Sequence, residues 1–430
     1  MATLNRLIAR SSLSLLLGAA PVASVFAAVQ TAPPESVGMS AERLHRVDEL
    51  VQRNIDAGEI SGAVTLVARN GQIVHLAAHG VMDVASKKPM QPDPVVRIAS
   101  MSKPVAAVAI LMLMEEGKVR LNDPISKFIP AYADAEVAIA KQAAGPGGAA
   151  AAPAAGGPGA APPQFYTVPA ARPITVLDVL THTSGVMSGP MSSSVGNASF
   201  EKRHEVGLKW VEPVGDAPLE FQPGSRWSYS AVAGFDILSR IVEVASGQTF
   251  DQFLAQRIFQ PLGMQDATFW PSTAQRARLV TAYQRRDGKL VPNDNPDSMS
   301  GQKYFSGAGG LMATAESYAQ FGMMLANGGA LNGHRLLSPR TVELMGSAFI
   351  PDTLPGRQPG EGYGLGVRVI TSSAARGTWL SAGSFGWSGA YGTHFWVDPS
   401  KKLVAVLMAQ TPNRQFQADF ENAVLQAVVD

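Results

Sequence analysis

From Val105 to Met114 the chain reads Val-Ala-Ala-Val-Ala-Ile-Leu-Met-Leu-Met, without one polar side chain. A helix that is apolar on every side must be buried, so the rest of the fold has to be built around this one. Ser100-Met101-Ser102-Lys103-Pro104 leads into it, and the helix is expected to end near Gly117. Proline lacks an N–H, and its ring clashes with the carbonyl four residues back, so Pro104 fits only in the first turn. The helix is therefore expected to begin at or just before Ser100. That places the Ser100 hydroxyl at the positive end of the helix dipole, where a developing oxyanion is stabilised. Residues three apart share a helix face, so the Lys103 amine can reach the Ser100 hydroxyl. The same Ser-x-x-Lys spacing occurs at Ser199/Lys202 and Ser300/Lys303, but neither pair opens an apolar helix. Both read as chance matches.

Composition removes several classes of function. The formal charge is +1 with 16% charged residues, so no basic field exists for nucleic acid or for anionic membranes. Cysteine is absent, which excludes disulfides, a thiolate nucleophile and Cys-ligated zinc. The histidines show no metal-ligand spacing, and neither a metal nor an organic cofactor is expected. No Gly-x-Ser-x-Gly occurs, so a nucleophile elbow of the α/β-hydrolase kind has no candidate. Gly307-Ala308-Gly309-Gly310 lacks the following Lys-Ser/Thr of a phosphate loop and reads as a tight turn.

Arg6 and Arg10, the apolar stretch around Leu13–Leu17 and the small residue Ala27 have the order of a secretory signal peptide. Cleavage after Ala27 leaves residues 28–430 as one mature domain and takes the formal charge to −1. No later stretch approaches the ~18–20 apolar residues of a membrane span. A periplasmic or secreted bacterial protein, held by its core and not by disulfides, is expected. Residues 143–163 contain only alanine, glycine and proline. Such a tract buries too little side-chain surface to offset its ordering entropy, so it reads as a disordered insertion on a surface loop.

Ser40 is a natural cap for a helix carrying Leu44, Val47, Leu50, Val51 and Ile55 on one face. Two β-rich runs, Ala63–Ala68 and Ile73–Leu76, flank Asn70-Gly71 and predict a hairpin. Near the C-terminus Tyr363–Ile370, Gly392–Val397 and Leu403–Met408 read as strands, and a last helix is expected over about 416–429. Roughly 200 residues between these ends read as helices and loops. The fold class is therefore α+β: an antiparallel sheet built from both chain ends, flanked by helices, with a mostly helical region inserted.

Six blocks in a fixed order resemble the serine β-lactamase/penicillin-binding superfamily, in its class C-like branch of family VIII carboxylesterases. They are Arg97–Pro104; Leu180-Thr181-His182-Thr183-Ser184-Gly185; Phe221-Gln222-Pro223-Gly224 with Trp227-Ser228-Tyr229-Ser230; Pro261-Leu262-Gly263-Met264; Gly307–Leu311; and Gly386-Trp387-Ser388-Gly389. The resemblance implies that Ser100 is the acylated nucleophile, with Lys103 and Tyr229 as its partners. It implies that Trp387-Ser388-Gly389 is a third motif on an edge strand, and that the N–H groups of Ser100 and Ala390 form the oxyanion hole. Without it, Tyr229 reads as a half-buried aromatic beside Trp227. The resemblance puts His182 in a loop-shaping turn apart from the acylating group, and His394 reads as structural.

Lysine and tyrosine both titrate near 10 when free, but packed together each shifts the other, and the pair titrates as a unit. Either could accept the Ser100 proton. Ala231 stands where the resemblance expects asparagine, and Trp387 where it expects lysine. Both changes remove polar contacts suited to a carboxylate-bearing amide, so a small-molecule ester of short or compact acyl chain is the expected substrate. A β-lactamase or D-amino-acid-specific peptidase, and a non-turnover acyl-binding module, are the alternatives.

Overall fold

Successive residues of a strand point to opposite faces, and Leu403–Ala409 obeys this with apolar side chains on both. Leu403, Ala405 and Leu407 enter one hydrophobic cluster, while Val404, Val406 and Met408 enter another. A strand buried on both faces needs a layer on each side, and that requirement organises the molecule. The computed structural model describes residues 30–141, 164–293 and 303–430. The expected signal peptide, the Ala/Gly/Pro tract and Ser300 lie outside the described residues.

The main sheet contains β1 (Gly62–Arg69), β2 (Gln72–Asp83), β3 (Lys88–Pro89), β4 (Glu361–Tyr363), β5 (Arg368–Ile370), β6 (Phe385–Ser388), β7 (His394–Asp398) and β8 (Leu403–Ala409). Its spatial order is β4-β5-β6-β7-β8-β1-β2-β3, and the pairs are antiparallel throughout. The central β1–β8 pair joins the two ends of the chain, with Leu66 opposite Val406. Asn70 and Gly71 both have positive φ, 53° and 78°, as a tight two-residue hairpin requires.

Five helices set the layers: α1 (Ala41–Asp56), α2 (Ser102–Glu115), α3 (Ala233–Ser246), α4 (Ala315–Ala326) and α5 (Arg414–Leu425). The Ser40 hydroxyl caps α1, accepting from the Arg43 N–H at 3.3 Å. Leu44, Val47, Leu50 and Val51 of α1 join Phe416, Phe420 and Val424 of α5 on one sheet face. On the other face α4 lies against the sheet and α2 is enclosed, with every residue from Ser102 to Leu113 buried.

Three expectations are corrected. Tyr363–Ile370 is not one strand, because Gly366 has φ 80° and Gly364 N–H donates to the Val367 carbonyl, turning the chain between β4 and β5. The third-motif strand β6 is not an edge strand, since β5 pairs with it. That pairing reaches only Phe385 and Gly386, leaving Trp387 and Ser388 without a neighbour on that side. Among the described residues the inserted region also contains four short two-stranded pairs, one of them Glu136–Ala140 with Phe165–Pro169.

Candidate active site

Ser100 sits in a single 3₁₀ turn, Ala99–Met101, and α2 proper begins at Ser102. The expected start at Ser100 is therefore two residues early, and backbone geometry explains it. Ala99 has φ 45°, in the left-handed region that costs an L-residue of order 1–3 kcal/mol. The strain is held from both sides. Ser102 Oγ donates to the Ala99 carbonyl at 2.7 Å and accepts from the Leu311 N–H at 3.1 Å. This turn lifts the Ser100 hydroxyl out of the helix wall, half-exposed, while Lys103 one turn on is fully buried.

Two groups converge on Ser100. Tyr229 Oη donates to Ser100 Oγ at 2.8 Å, and Lys103 Nζ donates to it at 3.2 Å. Lys103 spends its other two protons on the carbonyls of Ala231 (2.8 Å) and Ala308 (2.7 Å). Its ammonium also lies 4.9 Å from the centre of the Tyr229 ring. Ala231 lacks the amide side chain of the resembled motif, yet its backbone still takes part.

The Ala308 carbonyl is positioned by a buried carboxylate that the sequence reading missed. Asp236, in the first turn of α3, accepts from Trp210 Nε1 (3.0 Å), Tyr304 Oη (2.6 Å), Ser306 Oγ (2.6 Å) and the Ala308 N–H (3.3 Å). Burial raises its pKa above the ordinary carboxylate value despite these donors. Asp236 lies in none of the six blocks, and no local spacing marked it for this role.

His182 does shape its loop, accepting from the Ser230 N–H at 3.3 Å while its carbonyl accepts from Ser228 at 3.0 Å. It does not lie apart from the site, however. Its ring is 4.7 Å from that of Tyr229 and 5.3 Å from that of Tyr363. Burial, then the charges of Lys103 and Arg357, hold its pKa well below the usual imidazole value, so the ring is neutral at pH 7. His394, read as structural, bridges Ser388 Oγ (2.8 Å) and Glu421 Oε1 (2.9 Å).

Ser100 opens onto a cavity of about 790 Å³ lined by Tyr229, Trp387, Ser388, Gly389 and Ala390, with Glu361, Arg368, Arg376 and Glu421 farther round. The structure thus brings together every residue named for the site from the sequence. Trp387 forms an apolar wall, 5.6 Å from the Tyr229 ring and 5.3 Å edge-on to Tyr363. Gly389 is compulsory, because a Cβ there would collide with Thr393 Oγ1 and the Ile98 carbonyl. On its other side Ser100 borders a cavity of about 400 Å³ with Phe200, Phe269 and Trp270 in its walls. The polar contributors from β4, β5 and α5 were invisible in the sequence, being scattered over segments that carry no motif. Among the described residues no group of three or more His, Asp or Glu side chains is arranged to hold a metal ion.

A buried lysine and a tyrosine meeting on one serine, beneath an antiparallel sheet, define a serine hydrolase of the penicillin-recognising kind. The beta-lactamase family profile matches residues 47–428, and the chain belongs to that family. A Mycobacterium tuberculosis protein, Rv1367c, is 33% identical over 372 residues, covering 83% of this chain and 87% of its own. Esterase EstB of Burkholderia gladioli is 27% identical over 406 residues, covering 89% of this chain and 94% of its own. Among solved structures, EstCE1, described as a hydrolase with promiscuous acyltransferase activity, superposes with TM-score 0.71 at 23% identity. That match covers 89% of this chain and 99% of EstCE1.

Proposed function

We propose that this serine hydrolase is a carboxylesterase that cleaves short-chain or compact acyl esters through a Ser100 acyl-enzyme. The observation that carries the reading is the convergence of Tyr229 Oη and Lys103 Nζ on Ser100 Oγ, beside Trp387 at the position where the resembled motif carries lysine. For the attack the Lys103–Tyr229 pair must be one proton short, either as a Lys103 amine whose two protons go to the Ala231 and Ala308 carbonyls or as a Tyr229 phenolate. That vacancy takes the proton of Ser100 Oγ as it attacks the ester carbonyl. The backbone N–H groups of Ser100 and Ala390 receive the oxyanion, and the same pair returns the proton to the leaving alcohol. Water then repeats the sequence on the acyl-enzyme. The name of EstB, an esterase, supports this reading, while an Escherichia coli relative 26% identical over 429 residues is named a putative D-alanyl-D-alanine carboxypeptidase and supports the peptidase alternative. Residues 1–27 act as an export signal in the same reading, which N-terminal sequencing of the exported protein would check.

The test assays residues 28–430 and Ser100→Ala on p-nitrophenyl butyrate and a chromogenic cephalosporin. Ester turnover exceeding cephalosporin turnover is expected, falling by about 10⁴ or more in the variant. A better rate on the cephalosporin would transfer the assignment to a β-lactamase. Full ester hydrolysis by Ser100→Ala would remove Ser100 from the chemistry.

A further inference from the structure

Ser388 is half-exposed on the cavity wall, and behind it runs a hydrogen-bonded chain that the acylation chemistry does not use. The β6–β7 register sets Ser388 directly opposite His394. Ser388 Oγ lies 2.8 Å from His394 Nδ1, and His394 Nε2 lies 2.9 Å from Glu421 Oε1 on α5. Arg368 Nη2 donates to the same oxygen at 3.1 Å, and Thr378 Oγ1 donates to Glu421 Oε2 at 3.4 Å. His394 and Glu421 are both buried. Burial alone would raise the Glu421 pKa, but His394 and Arg368 outweigh it and hold the carboxyl below its ordinary value.

An ionised carboxylate can only accept hydrogen bonds, so His394 must carry a proton on Nε2. Nδ1 is then the nitrogen that faces Ser388 Oγ, and wherever it carries no proton it accepts the hydroxyl proton of Ser388. In that arrangement the Ser388 proton points inward, and its oxygen lone pairs face the cavity. A hydroxyl otherwise free to donate or accept is committed to accepting.

The two cavities beside Ser100 differ in their walls. The smaller has Phe200, Phe269 and Trp270 beside Arg97 and Arg203, whereas Ser388 stands in the larger one with Gln358, Asn413, Gln417, Arg368 and Arg376. We propose that Ser388, its proton held by His394 and Glu421, is an accepting subsite that selects esters of polyhydroxylated alcohols, hydrogen-bonding a free hydroxyl of the leaving group. This rests on the esterase reading above.

The test compares glyceryl 1-butyrate with propyl butyrate, which differ in the alcohol hydroxyls, at pH 8.5. Wild type is expected to favour the glyceryl ester in kcat/KM by about fivefold to tenfold, the yield of one hydrogen bond. Ser388→Ala and His394→Phe are expected to bring that ratio near one. Damage to the fold alone would lower both esters together and leave the ratio intact. As a second readout, glycerol should inhibit wild type more strongly than 1-propanol, and Ser388→Ala should lose the difference. Absence of the preference in wild type, or its survival in Ser388→Ala, would overturn the proposal. Survival in His394→Phe alone would overturn the backing role of the imidazole. Ser100→Ala, measured alongside, reports on the esterase reading separately, because the ratio is taken within one active protein.

Discussion

Lys103 Nζ lies within hydrogen-bond distance of three oxygens, Ser100 Oγ and the carbonyls of Ala231 and Ala308. Any substitution there uncovers two backbone carbonyls as well as Ser100. Tyr229 is the cleaner probe of proton transfer, since Tyr229→Phe keeps the ring against Trp387 and His182 and deletes only the hydroxyl. We expect it to lower kcat/KM for p-nitrophenyl butyrate by about 10²–10⁴, with thermal stability little changed. A kcat/KM within a few fold of wild type would leave Lys103 as the sole proton acceptor. His182 supplies a pH prediction. Its folded pKa is depressed, so below about pH 6.5 the unfolded chain binds a proton that the folded chain refuses. Stability should fall as pH drops through that range, by about 1 kcal/mol between pH 6.5 and 5.5 from this residue. His75, whose pKa burial also depresses, adds in the same direction. Asn tolerates the positive φ of 58° at this position, so His182→Asn should narrow the gap between urea midpoints at pH 7.5 and 5.5. An unchanged gap would assign the acid loss to His75 and other groups. At this scale the Ser100–Lys103 pair was legible because one helical turn joins them. Tyr229 was legible only through resemblance, and Asp236, Glu421 and Arg368 not at all, since no local spacing links them to the serine.

The helix α4 shows how tightly the elements fit. Gly322 faces the sheet, and a Cβ there would lie 2.5 Å from Val404 Cγ1 on β8. Gly322→Leu must push helix from sheet, and we expect it to cost about 1–3 kcal/mol, read as a lowered denaturant midpoint. A wild-type midpoint would mean that the layer can yield. The apolar run after Pro104 made α2 legible, and Asn70-Gly71 made the first hairpin legible, because each signal acts within a few residues. The broken strand at Gly364–Val367 escaped notice for the opposite reason. Its residues are apolar throughout, and a buried run of that kind has the same pattern whether it is straight or turned. The place of β6 within the sheet depended on β5, a three-residue strand too short to leave a periodic trace.

Both ends of the chain build one sheet, so the inserted region can vary in length without disturbing the β1–β8 seam. Ala140 pairs with Phe165, and Lys141 N–H donates to the Gln164 carbonyl at 2.8 Å, so the two flanks of residues 142–163 already meet. Replacing 142–163 with Asn-Gly should leave kcat/KM within about twofold and the denaturant midpoint at or slightly above that of wild type, as a shorter loop costs less to close. A large loss of activity would assign that tract a function. The sequence by itself determined the pairing of Ser100 with Lys103, the all-round burial of α2 and the two-ended sheet, because these depend on patterns within one or two turns of helix or one pair of strands. Only the tertiary structure decided how the cavity beside Ser100 is walled. Its polar groups come from β4, β5, β7 and α5, the Arg368–Glu421 pair alone bridging 53 residues, and chain folding brings them together. The polarity of Ser388 belongs to the same class, for it depends on a histidine across the strand and a carboxylate on a helix laid over it.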